Sequence, residues 1–191
     1  MSNSNITKKA LQESFLELLN ENGFNKITVQ DIADRCGVNR NTFYYHYQDI
    51  YSLFEEYCEG EADKLIKEYP KLNSIDECVD ALIKLISANK KAIYHLANSP
   101  NKDTYEDSLW KVCKHLITAY ADTAFADAPI TAIDRDLFIR FYKCALFGLG
   151  IDWINNGMND GYAEELKRIC LLKKGTSETV IQNCINSYGE K

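Results

Sequence analysis

Between Gly37 and Gln48 the sequence concentrates side chains suited to nucleic acid. Arg40, Asn41, Tyr44 and Tyr45 fall within about two helical turns, with Asn39 and Thr42 beside them. An arginine fork matches the O6 and N7 acceptors of guanine, and asparagine pairs in the same way with adenine. Tyrosine and threonine hydroxyls suit phosphate oxygens. Phe43 and Tyr47 stand at i and i+4, which gives the same stretch a separate apolar face. Two adjacent outward tyrosines and an arginine are a poor fit to an ordinary solvated helix face. Catalytic chemistry is not expected. The sequence has no HExxH, phosphate-binding P-loop, GxGxxG or nucleophile elbow. Its histidines, His46, His95 and His115, fall on three different predicted helices. No metal site or cofactor is expected either: the seven cysteines are scattered without a CxxC, and Cys113 and His115 are i, i+2, facing opposite ways on a helix.

The elements that must hold these side chains are legible in the flanking residues. Leu11, Phe15, Leu18 and Leu19 line one helical face, and Asn22-Gly23 ends that helix. Thr28 is the cap of the next helix, with Asp31 as its capping-box partner and Ile27 and Ile32 as a hydrophobic staple. Gly37 stops this helix at about Cys36. The pattern then recurs, with Val38 before the cap, Asn39 as the cap and Phe43 as the staple partner. Two short helices joined by a tight turn containing glycine form a helix-turn-helix. Asp49 caps a fourth helix that Pro70 ends, and Ser74 to Glu77 reads as a capping box opening a fifth. Later helices begin near Lys90, run through Leu109 to Tyr120, and run from Leu137 to Asn156-Gly157. Two shorter amphipathic segments complete the chain. With no period-2 strand, the expected fold is all-α.

The stretch Ile27 to Phe54 resembles the tetracycline-repressor (TetR) family of bacterial transcription regulators. That family's motif runs roughly T-x-x-x-I-A-x-x-x-G-V-x-x-x-x-x-Y-x-H/Y-F. Thr28, Ile32, Ala33, Gly37, Val38, Tyr44, His46 and Tyr47 stand at the matching places. The resemblance implies a helix-turn-helix DNA-binding head over residues 1–47 and a larger helical dimerisation and ligand- or partner-binding body over 48–191. It places Arg40, Asn41, Thr42 and Tyr45 on base edges, and Thr28, Tyr44 and His46 on phosphates, with Asn39 beside them. It also implies a homodimer on a double-stranded operator, controlled by a small-molecule effector or a protein coregulator. Phe141, Phe147, Gly148, Gly150 and Trp153 suit the dimer interface. Tyr57, Tyr94, His95, Tyr105, Trp110 and His115 are candidate lining for an effector pocket. In length and in the segment FGLGIDWI the chain resembles members that control dihydroxyacetone-kinase operons and sense state through a protein partner. The alternative reading is therefore a coactivator or adaptor whose own DNA binding has weakened.

The family usually places a phosphate-gripping lysine at the start of the fourth helix, where this sequence has Ile50. Charge points the same way. The chain of 191 residues carries a net charge of −6, yet residues 1–47 are neutral: Lys8, Lys9, Lys26, Arg35 and Arg40 balance Glu13, Glu17, Glu21, Asp31 and Asp34. Nonspecific attraction to DNA, which rests on phosphate neutralisation, is expected to be weak. No signal peptide or membrane-length apolar run is read, so a reducing cytoplasmic setting is expected.

Overall fold

The computed structural model describes residues 3–97 and 102–189. Its regular structure is helical, in the order α1 (Asn3–Glu21), α2 (Val29–Cys36), α3 (Arg40–His46), α4 (Ile50–Glu68), α5 (Ile75–Ala88), α6 (Lys90–Ala97), α7 (Lys102–Ala124), α8 (Ala132–Asn155), α9 (Asp160–Leu172) and α10 (Thr176–Gly189). No strand occurs among the described residues, and none of their helices is long and apolar enough to cross a membrane. The chain divides into two compact units, Met1–Glu61 with Asn89–Ser108, and Ala62–Ala88 with Leu109–Lys191.

In the first unit, Leu11, Phe15 and Leu19 of α1 are fully buried with Ile32 of α2, Phe43 of α3 and Leu53 of α4. Phe24 stands edge-on to Phe15 at 5.9 Å and to Phe54 at 5.9 Å. It is held by a 3-10 turn over Phe24–Lys26 that the residue pattern does not announce. Gly23 does not end α1 in the left-handed region; its φ is −69° and it leads into that turn.

In the second unit, α5 packs against α8 and α9. Phe138, Tyr142, Leu146, Trp153 and Ile154 of α8 are buried, as are Leu82 and Ile86 of α5. Gly150 and Trp153, expected at a dimer seam, face inward. A Cβ on Gly150 would lie 3.2 Å from Leu82 Cδ2, so the glycine lets α5 come close. Trp153 Nε1 donates to the Asn159 carbonyl at 3.0 Å, which satisfies the buried indole. Phe147 is half-buried, edge-on to Trp110 at 5.0 Å. Phe141 and Gly148 are exposed. With Ile133, Leu137, Cys144 and Ala145 they form an outward, mainly apolar stripe along α8.

The α5 start differs in one bond from the expected capping box. Glu77 N–H donates to Ser74 Oγ at 3.1 Å, but the Glu77 carboxylate accepts from Asn73 N–H at 2.8 Å rather than from Ser74. Among the cysteines, Cys78 and Cys113 are buried while Cys144 is exposed. Burial pushes the Cys113 thiol up to about 12.

Candidate nucleic-acid interface

The turn that aims α3 begins at the end of α2. Gly37 has φ +71°, and Val38 N–H donates to Ala33 O at 2.9 Å while Gly37 N–H donates to Asp34 O at 3.1 Å. This is a Schellman motif, which needs a left-handed residue and therefore favours glycine. Asn39 then caps α3, its Oδ1 accepting from Asn41 N–H at 2.7 Å. Phe43 is fully buried and Tyr47 nearly so. Gln12 Nε2 donates to Tyr47 Oη at 3.1 Å, and Lys8 Nζ sits 5.2 Å from the Tyr47 ring centroid while pairing with Glu56 at 2.8 Å. One face of α3 is thus fixed to α1 and α4 by packing and polar contacts.

The other face is open. Asn39, Arg40, Asn41, Tyr44 and Tyr45 are exposed, and Thr42 and His46 are half-buried. Tyr45 is 81% exposed and stands edge-on to the His46 ring at 5.0 Å. Arg40 Nη2 donates to Tyr44 Oη at 3.0 Å, and its guanidinium carbon lies 5.4 Å from the Tyr44 ring centroid. Thr28 is exposed at the start of α2, but its donors are engaged. Its hydroxyl donates to Asp31 Oδ2 at 2.6 Å and its N–H to the same oxygen at 2.9 Å. These bonds, the hydroxyl's first, hold the Asp31 carboxyl below its ordinary value.

Arg35 and Lys9 of the head are also occupied. Arg35 reaches Glu21 through two N–H donors at 2.6 and 2.7 Å, and Lys9 lies 3.5 Å from Glu13. The Arg35 hydrogen bond lowers the Glu21 carboxyl. At the start of α4, Ile50 is half-buried behind Asp49. Asp49 Oδ1 accepts from Ser52 N–H at 2.8 Å, so a carboxylate occupies this helix end.

The candidate effector residues are divided between the two units. Tyr57, Tyr94 and Tyr105 belong to the first unit, Trp110 and His115 to the second. Tyr57 Oη donates to Asn89 Oδ1 at 2.9 Å, and burial pushes the buried Tyr105 phenol up to about 12. Tyr94 is half exposed. The His95 side chain lies outside the described residues. Lys143 Nζ sits 4.1 Å from the Trp110 ring centroid, and His115 Nε2 is 3.0 Å from the Tyr69 carbonyl. A cavity of about 590 Å³ in the second unit lies among α5, α8, α9 and the turn into α10, and its lining does not include Tyr57, Tyr94, Tyr105, Trp110 or His115. Its wall includes Ile75, Val79, Phe141, Ala145, Leu149 and Thr176, residues with no signal of a shared site in the sequence. Among the described residues, no three His, Cys, Asp or Glu side chains gather as metal ligands.

Known proteins give this geometry a context. Residues 15–57 match the model of the bacterial regulatory proteins of the tetR family, and residues 73–175 match a transcriptional regulator C-terminal region. The uncharacterized HTH-type transcriptional regulator YxbF of Bacillus subtilis is 33% identical over 99 residues, which span 48% of this chain and 26% of that protein. The HTH-type dhaKLM operon transcriptional activator DhaS of Lactococcus lactis is 31% identical over 68 residues, 36% of each chain. The aligned stretches thus span only about a quarter to a third of these relatives. A solved structure of a dihydroxyacetone kinase operon activator DhaS is similar in fold. Its TM-score is 0.71 at 17% identity, with 91% of this chain and 97% of that chain covered. Salmonella enterica GusR superposes with a TM-score of 0.61 at 15% identity, covering 88% of this chain and 95% of its own. The C-terminal match alone takes in more than half of the sequence, and the chain belongs to the TetR family of bacterial regulatory proteins.

Proposed function

We propose that the protein is a dimeric, sequence-specific DNA-binding regulator that reads an operator with α3. The outward face of α3 carries the proposal. It is exposed and rich in base-reading groups, while Phe43 and Tyr47 anchor the helix from the other side. Arg40, Asn41, Thr42 and Tyr45 contact base edges. Asn39 and His46 lie along the phosphates, Tyr44 stands beside Arg40, and Thr28 reaches a phosphate by giving up a bond to Asp31. Two copies pack through the outward stripe of α8, with Phe141 and Gly148 on the seam. Their recognition helices then enter successive major grooves about 34 Å apart on a pseudo-palindromic site. The residues that lead off the head, 48–191, form the dimerisation and control region. Control comes from a small effector, for which the second-unit cavity of about 590 Å³ is large enough.

The test is selection of bound fragments from a genomic DNA library by the purified protein, then titration of labelled DNA with the protein alone. Enrichment of one pseudo-palindromic site, bound at least tenfold more tightly than random DNA of equal length, is expected. Equal binding to all fragments, or binding only when a second protein is added, would overturn the reading.

A further inference from the structure

On the exposed face of α3, one polar contact joins two of the outward side chains. Arg40 and Tyr44 are at i and i+4, the spacing that stacks side chains on a helix. The Tyr44 hydroxyl accepts from Arg40 Nη2 at 3.0 Å. The guanidinium carbon lies 5.4 Å from the centre of the same ring, within cation–π range. Tyr44 therefore holds Arg40 at two points, the ring and the hydroxyl. Its own ring stands edge-on to the fully buried Phe43 ring at 5.7 Å, so the support is tied to the core of the head.

We infer that Tyr44 is a positioning residue for Arg40, setting the arginine fork for base reading rather than acting as an independent phosphate contact. This rests on the reading of Arg40 as a base contact. The stoichiometry allows both partners at once. A guanidinium has five N–H donors in a fixed plane. Tyr44 takes one, and a bidentate contact to guanine needs two. A free arginine loses rotamer entropy when it binds, so an arginine already held in place loses less of it on the DNA. The hydroxyl is essential to this role because it fixes the rotation of the guanidinium plane, which the ring face alone leaves free.

The experiment is a double-mutant cycle with Arg40→Ala and Tyr44→Phe, read on the selected operator and on a panel carrying every single-base change. Both side chains are exposed in their polar parts, and thermal melting of each variant checks that the head stays folded. Arg40→Ala identifies the base pair that it reads, by a loss of discrimination of roughly 5- to 150-fold there. Tyr44→Phe is expected to lower discrimination at that same base pair by roughly 2- to 10-fold, with little change at other positions. In the Arg40→Ala background, Tyr44→Phe should have no further effect. If Tyr44→Phe weakens every sequence equally, and does so whether or not Arg40 is present, Tyr44 is an independent backbone contact and the inference fails alone. If Arg40→Ala itself produces no position-dependent loss, the base-reading assignment fails, and the inference with it.

Discussion

Thr28 and Asp31 satisfy each other, and that reciprocity has a pH signature. Asp31 Oδ2 accepts from the Thr28 hydroxyl and from the Thr28 N–H, while Thr28 Oγ1 accepts from Asp31 N–H at 3.2 Å. The charged carboxylate is the better acceptor, so the folded state holds the Asp31 carboxyl below its ordinary value of 3.8. The folded chain then binds this proton less readily than the unfolded chain. Its contribution is fully present above the ordinary value and is lost as pH falls from there through the lower folded value. Asp31→Asn removes the titrating group. In urea unfolding, wild type should exceed the variant in stability near neutral pH, and the gap should close as pH falls from about 5 to about 3. A gap that stays constant over that range would mean that the carboxylate charge plays no part in the cap. The same contacts explain what the local sequence discloses and what it does not. A Thr-x-x-Asp spacing announces a cap. It does not say that capping uses both Thr28 donors, leaving the hydroxyl to reach a phosphate only by releasing Asp31. Similarly, residue type and spacing put Arg40 and Tyr44 on one face, but only the three-dimensional arrangement joins them.

The aim of α3 depends on the turn before it, and Gly37 is where that turn is most sensitive. Its φ of +71° lies in the left-handed region, and a Cβ there would meet nothing within 4 Å. The cost of Gly37→Ala is therefore backbone strain alone, about 1–2 kcal/mol, without a steric clash. Urea unfolding should record that loss, against the total of about 5–15 kcal/mol typical of domains. An unchanged midpoint would mean that the turn has another conformation in solution. Caps and breakers of this kind are strong local signals, which is why α2, α3 and the all-helical class are readable from the residue types at 27–54 alone. The 3-10 turn at Phe24–Lys26 is not, because Asn22-Gly23 reads equally well as a helix stop and gives no hint of a further turn beyond it. The longest body helix is also ambiguous. Apolar side chains surround α8, with Phe138, Tyr142 and Leu146 inward and Ile133, Leu137 and Phe141 outward. Periodicity fixes a face only when the other face is polar. Gly150 and Trp153 thus look like seam residues in the sequence, although α5 is what the glycine admits. The cavity is harder still to foresee, since its walls come from helices far apart in the chain.

Assembly and electrostatics belong to the whole protein. Apolar residues exposed along α8, with Leu137 at 52% and Phe141 at 62%, are more than scattered surface hydrophobes and suit burial by a second copy. Phe141→Glu should leave the isolated fold nearly unchanged, since the side chain is exposed, but place a charge on the seam. Sedimentation at micromolar concentration should find wild type dimeric and the variant monomeric; two dimers would move the interface elsewhere. A dimer also doubles every phosphate contact, which makes salt dependence the sharpest test of the unusual fourth-helix start. The chain is acidic overall, and Lys8, Lys9 and Arg35 of the head are already paired with glutamates. Few cations remain to displace counterions from DNA. Ile50→Lys adds one per subunit at the position where the family resemblance implies a lysine. Two phosphates newly neutralised should steepen the slope of log K against log salt by roughly 2 × 0.9, or about 1.8. Affinity should rise alike for operator and random DNA, because a phosphate contact carries no direct sequence information. Two local effects oppose each other. A cation in the first turn of α4 meets the positive end of the helix dipole, at a cost of about 0.3–1 kcal/mol. The Asp49 carboxylate beside it, which caps Ser52 N–H, offsets part of that cost. Ile50 is only half-buried, so the lysine stem can cover the same apolar surface and leave its ammonium in solvent. The measurement is DNA binding by wild type and variant across a salt series. An unchanged slope would mean that the start of α4 faces away from the phosphates, and that α3 meets DNA at a different angle from the one proposed.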